Sequence, residues 1–419
     1  MTSMRVELLT IGSELLSGAI VNTNAAELAK HLAESGFPCR RQTAVPDEWP
    51  ALLEVMRQAI GRSDVVVITG GLGPTFDDLT MAAIAEVTGR PLVFWPRVAA
   101  TVRRFYRRHH RALQQAALRQ AKLPRGGVPI PNPLGTAPGL WLALPRAIVI
   151  ALPGVPAEMR AMLARTVLPR LKRLRGATPV VSRTLRTIGL VELSIEAILR
   201  RLTIPPGVEV GLYPSLRMVD VRLTATGSSR AQAARAVARL ERPLRRRLST
   251  AVYGMDGETL EGAIGRLLLA RRATLAVAES CTGGLVSDRI TSVAGSSQYL
   301  RGAVVAYHND LKTGALGVSS ATLARTGAVS APVAGQMARG VRRLAKAGYG
   351  LAITGIAGPT GGTKTKPVGL VYLALADGRR TLTRRCRFFG DRLAIKTQAA
   401  QTALDLLRRK LLSMAPSSP

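Results

Sequence analysis

A chain of 419 residues is long enough for two or three domains, each with a core of its own. Hydrophobic residues make up 47% and charged residues 20%, a globular composition that excludes a disordered chain. Lys and Arg number 59 against 26 Asp and Glu, so a formal charge of +33 favours anionic partners, nucleic acid or nucleotides. The arginines are spread along helical stretches, however, and aromatics are only 4% of residues, which argues against a stacking platform for single strands. No apolar run reaches membrane-spanning length, since Pro145 and Arg146 break the stretch at 140–152. The chain opens without a signal-peptide core and carries Glu7 and Glu14 early, so the protein is expected in the cytoplasm. Cys39, Cys281 and Cys386 are odd in number and far apart, which argues against a disulfide framework or a cysteine zinc site. The four histidines form no HxxxH pair, so any metal would be held by carboxylates.

Residues 4–11 read as a strand ending at Gly12-Ser13-Glu14, and Asn22, Thr23 and Asn24 start a helix through Leu28 and Leu32. A second strand at 65–69 runs into Gly70-Gly71-Leu72-Gly73-Pro74-Thr75-Phe76-Asp77-Asp78-Leu79-Thr80 before another helix. A third at 147–152 breaks at Pro153-Gly154-Val155-Pro156, with Glu158 in the first turn of the next helix. Strand, glycine loop and helix in repetition predict a doubly wound α/β sheet over residues 1–172, with ligands beyond the carboxyl ends of its strands. Glu14, Asn24, Gly70, Gly71, Gly73, Thr75, Asp77, Asp78 and Thr80 are the candidates for that site. Acids beside glycine loops suit a divalent cation bridging a phosphate or pyrophosphate, with Asp77 and Asp78 as its ligands. The same two residues equally suit helix capping.

A basic helix is predicted over 98–122, its cationic face (Arg103, Arg104, Arg107, Arg108, Arg111) being a solvated surface, a lid or a dimer arm. Residues 173–253 form a small α+β connector module, with strands at 183–188, 208–213 and 218–225 and helices at 192–202 and 230–247. It carries no chemical constellation, and its arginine-rich helix is the place for a nucleic-acid contact if there is one. The last domain spans 258–412 and ends in a helix over 393–412, with a frayed tail at 414–419.

Within that domain a strand at 274–278 enters Glu279-Ser280-Cys281-Thr282-Gly283-Gly284, and a helix follows. Such a turn sets hydroxyls and a thiol beside unpaired N–H groups at the positive end of a helix. A second strand gives way to Tyr307-His308-Asn309-Asp310-Leu311-Lys312, and a third at 351–355 enters the glycine-rich loop 355–363. Three such strand ends predict one crevice.

These residues resemble the CinA (competence/damage-inducible protein A) family. The C-terminal domain is similar in AESCTGG, Tyr-x-Asn-x-x-Lys (Tyr307, Asn309, Lys312), GAVS (327–330), TGIAGPxGG with KPVG, and Gly390-Asp391-Arg392, in order over 258–411. The resemblance implies hydrolysis of the amide of nicotinamide mononucleotide, a pyridine nucleotide, with no cofactor. TGGLGPTxDDxT and LPGVPxEM look like the family's molybdopterin-binding-like N-terminal domain over 4–170, which in some members implies metal-dependent hydrolysis of ADP-ribose. Gly12-Ser13-Glu14 stands where pterin-binding relatives read Gly-Asp-Glu, leaving Glu14 as the carboxylate there. A homodimer is the expected assembly.

Amide hydrolysis needs a nucleophile, a base, a proton donor for ammonia and donors for the oxyanion. Ser280 is expected as nucleophile, Lys312 as a base of lowered pKa, and Tyr307 as a relay between them, with the amides at 281–284 (Cys281, Thr282, Gly283, Gly284) as oxyanion hole. Asn309, Thr354, Gly355, Gly358, Gly361, Gly362, Lys366 and Arg392 are expected around the substrate, the last two with the glycine loop on its phosphate. Cys281 is the rival nucleophile, intrinsically the more reactive, but alternation along the strand turns His308 away from Tyr307 and the crevice. Each residue also has a plain structural role open to it, Ser280 and Thr282 as helix caps and the glycine loop as a turn.

Overall fold

The computed structural model describes residues 4–174 and 179–413, in two compact units: Met1–Val181 with Thr226–Ala233, and Ser182–Ala225 with Ala234–Pro419. The tail expected at 414–419 lies outside the described residues. Among them, no helix is long and apolar enough to cross a membrane.

The first unit is built on a six-stranded sheet in the spatial order Cys39–Val45, Val6–Ile11, Val65–Thr69, Ile148–Leu152, Gly139–Ala143, Val128–Ile130. The first four strands are parallel and the last two antiparallel. Strand alternation sorts the core into two layers. Leu9, Ile68 and Val149 pack with Leu52, Met56 and Ile84 on one face, while Leu8, Val67 and Ile150 pack with Leu28, Leu32, Met159 and Met162 on the other. This is the doubly wound α/β architecture expected, and the carboxyl ends of the parallel strands come out at one edge.

The basic helix is shorter than predicted. It runs Pro96–Arg108, followed by a 3-10 segment Gln115–Ala121. Only Val98, Ala99 and Val102 are buried in it, and the run Arg107-Arg108-His109-His110-Arg111 offers no apolar face to continue on. His110 leaves the helix with φ +52.

In the second unit the connector strands order as Val208–Ser215, Met218–Thr226, Val180–Ile188, Val252–Met255, the last of them unforeseen. The connector is joined to the C-terminal core: Ile188, Met218 and Tyr253 share an apolar cluster with Leu260, Ile264 and Leu404 of the C-terminal domain. The buried Arg408 reinforces this by donating to the Thr250 and Val252 carbonyls.

The C-terminal sheet orders as Leu300–Val305, Leu275–Glu279, Tyr349–Gly355, Leu370–Ala376, Thr381–Arg387. Its first three strands are parallel, so their carboxyl ends meet at one edge, and the final two antiparallel strands were not foreseen. One face carries Leu275, Val277, Leu351 and Ile353 against the helices Leu260–Ala270 and Arg392–Leu412. The other carries Ala276, Ala278, Ala352 and Ala374, and this small-residue face lets the helix Ala331–Leu344 come in close. A Cβ on Gly340 of that helix would lie 1.9 Å from the Leu316 carbonyl oxygen, and one on Gly350 would lie 2.0 Å from that of Ala338.

Gly340→Ala is therefore expected to lower stability by about 1–3 kcal/mol, the overpacking cost exceeding the roughly 1 kcal/mol gained in helix propensity. A urea titration in which the variant matches or exceeds the parent would contradict this packing.

Candidate active site and N-terminal cavity

The turn after strand Leu275–Glu279 is organised by the last residue of that strand. Glu279 is fully buried, and its carboxylate accepts hydrogen bonds from the backbone N–H of Gly284 (3.0 Å), Val286 (3.1 Å) and Ser287 (2.9 Å) and from the Ser287 hydroxyl (2.5 Å). A carboxylate thus satisfies the open N–H groups of the helix Leu285–Thr291 at its positive end. Gly283 (φ +63) and Gly284 (φ +98) take the left-handed conformations this hairpin path needs. The expected oxyanion hole shrinks as a result. The Gly284 amide is held by Glu279 and the Gly283 amide by the Ser280 carbonyl, so the amides of Cys281 and Thr282 remain. The Thr282 hydroxyl is buried with no partner among the described residues.

Ser280 is nine-tenths buried and fixed by its N–H to the Ile353 carbonyl. Burial pushes the Cys281 thiol up to about 12; the charge of Glu279 adds to this, and Arg392 and Lys396 pull the other way. Lys312 is 1% exposed. Its Nζ donates to the Ala306 carbonyl (2.8 Å) and the Tyr307 carbonyl (3.2 Å). Burial lowers its pKa, opposed by the nearby charge of Cys281. The Ala306 N–H in turn bonds the Glu279 carbonyl, which ties the lysine's anchoring residue to the end of the strand Leu275–Glu279.

Tyr307 and His308 do not alternate along a strand as expected. The strand stops at Val305, and His308 caps the helix Asn309–Gly314, exposed and beside Asp310. Cys281 still lacks an activating histidine, for this different reason. Tyr307 is 60% exposed, and its hydroxyl accepts from Arg392 Nη2 (2.8 Å) while Arg392 Nη1 donates to the Gly358 carbonyl (2.6 Å). The phenol thus joins Arg392 to the glycine loop. Among the described residues no hydrogen bond joins it to Ser280 or Lys312, so the relay expected there is not formed.

The remaining candidates mostly secure loops. Thr354 Oγ1 donates to the Ala328 carbonyl (2.9 Å) and Lys366 Nζ to the Thr326 carbonyl (2.5 Å), so both tie the strand-end loops to the GAVS turn. A Cβ on Gly355 would lie 2.6 Å from Val371 and one on Gly358 2.6 Å from Val368, whereas Gly361 and Gly362 are exposed. Asn309 is exposed at the start of its helix. Two residues of this site escaped the sequence reading. Glu279 was signalled by an acid placed just before a glycine-opened helix, and Lys396 by standing one helical turn beyond Arg392.

In the first unit a cavity of about 450 Å³ opens at the strand ends, lined by Gly12, Glu14, Asp47, Gly70, Gly71, Gly73, Asp77, Asp78, Gly154 and Glu158 among others. Asp78 accepts from the Gly73 N–H (2.7 Å), the Thr75 N–H (2.8 Å) and the Thr75 hydroxyl, and so braces its own loop. Thr80 Oγ1 donates to the Gly70 carbonyl (2.8 Å), and Asn24 Nδ2 donates to the Gly154 carbonyl (2.6 Å). Asp77 is exposed, and no group of three His, Cys, Asp or Glu set for a metal ion occurs among the described residues. Of the expected metal-binding pair, Asp78 thus uses both oxygens to brace its loop, while Asp77 stands exposed.

Three family models match the chain: the CinA C-terminal domain over residues 257–411, the probable molybdopterin binding domain over 7–173, and the damage-inducible protein CinA KH domain over 182–254. A CinA-like protein of Gloeobacter violaceus is 44% identical over 412 residues, covering 97% of this chain and 96% of that one. Another, of Geobacter metallireducens, is 43% identical over 412 residues, covering 98% and 100%. The solved CinA protein of Thermoplasma acidophilum is 40% identical over 39% of this chain and 95% of its own, with a TM-score of 0.36.

Glu279→Ala is expected to cost at least about 2 kcal/mol, because it strands three backbone donors in a buried turn. Chemical unfolding of the variant measures the loss, and an unchanged midpoint would refute the capping role.

Proposed function

The chain belongs to the CinA family, and within it we propose that the C-terminal domain is an amidohydrolase that converts nicotinamide mononucleotide to nicotinic acid mononucleotide and ammonia. What carries this reading is Lys312. A neutral amine has two hydrogens and one lone pair, and here two carbonyls, Ala306 and Tyr307, stand ready for both hydrogens. The lone pair then turns away from those oxygens and is free to take a proton. Burial favours that neutral form.

Ser280 Oγ attacks the carboxamide carbon as Lys312 takes its proton, and the amides of Cys281 and Thr282 receive the oxyanion. The ammonium of Lys312 then returns the proton to the departing nitrogen, which leaves as ammonia and an acyl-serine. Water, deprotonated by the same amine, adds to the acyl carbon, and as the bond to Ser280 Oγ breaks the ammonium returns that proton to the serine and the carboxylate product leaves. Tyr307 and Arg392 hold the mouth of the crevice against the Gly358 loop. Cys281 is the less suited nucleophile, because burial pushes its thiol up and no histidine among the described residues stands beside it as an activating base.

A second reading concerns the N-terminal cavity. Its glycine-lined floor at the strand ends supports a nucleotide pyrophosphate ligand of the ADP-ribose kind, its charge met by a divalent cation rather than by any Lys or Arg of the lining. Its cleavage there rests on resemblance alone. AMP release from ADP-ribose, measured with and without divalent ions, tests it; Glu14→Gln and Asp77→Asn are expected to reduce that release without changing ammonia release.

Ser280→Ala and Lys312→Met are each expected to lower ammonia release from nicotinamide mononucleotide at least ~10³-fold, whereas Cys281→Ala stays within about tenfold. The reverse ranking of Ser280 and Cys281 would sink the assignment. Activity is expected to rise with pH as Lys312 loses its proton, with a midpoint below the ordinary lysine value of 10.5. Steeply salt-dependent DNA binding with no ammonia release would mark a nucleic-acid factor instead.

A further inference from the structure

We propose that Lys396 is a binding residue for the phosphate of the substrate, an inference that rests on the amidohydrolase reading above. The two cations first expected to hold that phosphate are already engaged. Arg392 gives one nitrogen to the Gly358 carbonyl and the other to the Tyr307 hydroxyl, and Lys366 gives its ammonium to the Thr326 carbonyl. Lys396 has no carboxylate or carbonyl partner among the described residues.

Its position is specific. A Cβ built on Gly283 would lie 3.8 Å from Lys396 Nζ, with no other atom near enough to touch it. The ammonium therefore stands directly over the turn that carries Ser280, at a point where glycine leaves room. It is also close enough to Cys281 for its charge to oppose the effect of burial on the thiol.

Four residues separate Lys396 from Arg392, so the two cations lie on one face in the first turns of the helix Arg392–Leu412. A cation at the positive end of a helix is unfavourable by itself. Asp391 already caps the helix through the Ala394 N–H and both Arg392 Nη atoms are engaged, so it is the ammonium of Lys396, with no counter-ion among the described residues, that gains most from a dianion. A nucleotide phosphomonoester is such a group, whereas an uncharged nucleoside gains nothing there.

The test compares the parent with Lys396→Met and Lys396→Arg on nicotinamide mononucleotide and on nicotinamide riboside, the latter as substrate or competitive inhibitor. Lys396→Met is expected to raise KM for the nucleotide about 10–100-fold with kcat within a few-fold, and to leave riboside binding unchanged; Lys396→Arg restores most of the loss. An unchanged KM for the nucleotide, or an equal loss with nucleotide and riboside, overturns the assignment. If the parent releases no ammonia at all, the amidohydrolase reading fails. Calorimetry with inorganic phosphate then decides the role of Lys396: weaker binding by Lys396→Met supports it, and equal binding overturns it.

Discussion

The C-terminal site depends on one buried carboxylate. Glu279 ends a strand whose every side chain is buried, and it accepts four donors from the turn and helix that follow. Each hydrogen bond to a charged acceptor contributes about 1.5–3 kcal/mol, enough together to offset the removal of the charge from water. The consequence is geometric. With its helix start tied back to the strand, the turn has no freedom to slide, and Ser280, Cys281 and Thr282 stay at a fixed height above the sheet edge.

The same carboxylate divides the backbone amides into those that hold the loop and those left for chemistry. An oxyanion hole built from every amide at the turn would leave the helix uncapped without a substrate, whereas the observed arrangement keeps the cap and spares Cys281 and Thr282. Lys312 is placed by an equivalent device. Its ammonium reaches back six residues to the Ala306 carbonyl, and the Ala306 amide bonds the Glu279 carbonyl. Ser280 and Lys312 are therefore referenced to the same strand end.

Much of this was legible in the sequence, and what was not has physical causes. The parallel strands and their loops follow from apolar runs ending in glycine, and these place Ser280, Lys312 and the 355–363 loop at one edge. Tyr307 was misjudged because alternation holds only while the strand lasts, and its strand stops two residues earlier. Asp78 was equally readable as ligand or brace; the choice turned on the Gly73 and Thr75 donors, a contact that sequence order does not reveal. The strand Val252–Met255 was missed because it is short and forms only by pairing with Val180–Ile188, far away in the chain.

Net charge does not tell how charge is distributed around individual sites. The chain carries +33, yet the lining of the N-terminal cavity holds Glu14, Asp47, Asp77, Asp78 and Glu158 with no lysine or arginine among its residues. A bare phosphate entering that cavity meets carboxylates rather than cations, and only backbone amides near the glycines oppose the repulsion. At the C-terminal strand ends the balance is opposite: Arg392 and Lys396 lie near a turn whose one acid, Glu279, already accepts four donors. This local contrast, more than the global excess of arginine, is what supports the proposed reading of the C-terminal site as that of a nucleotide enzyme.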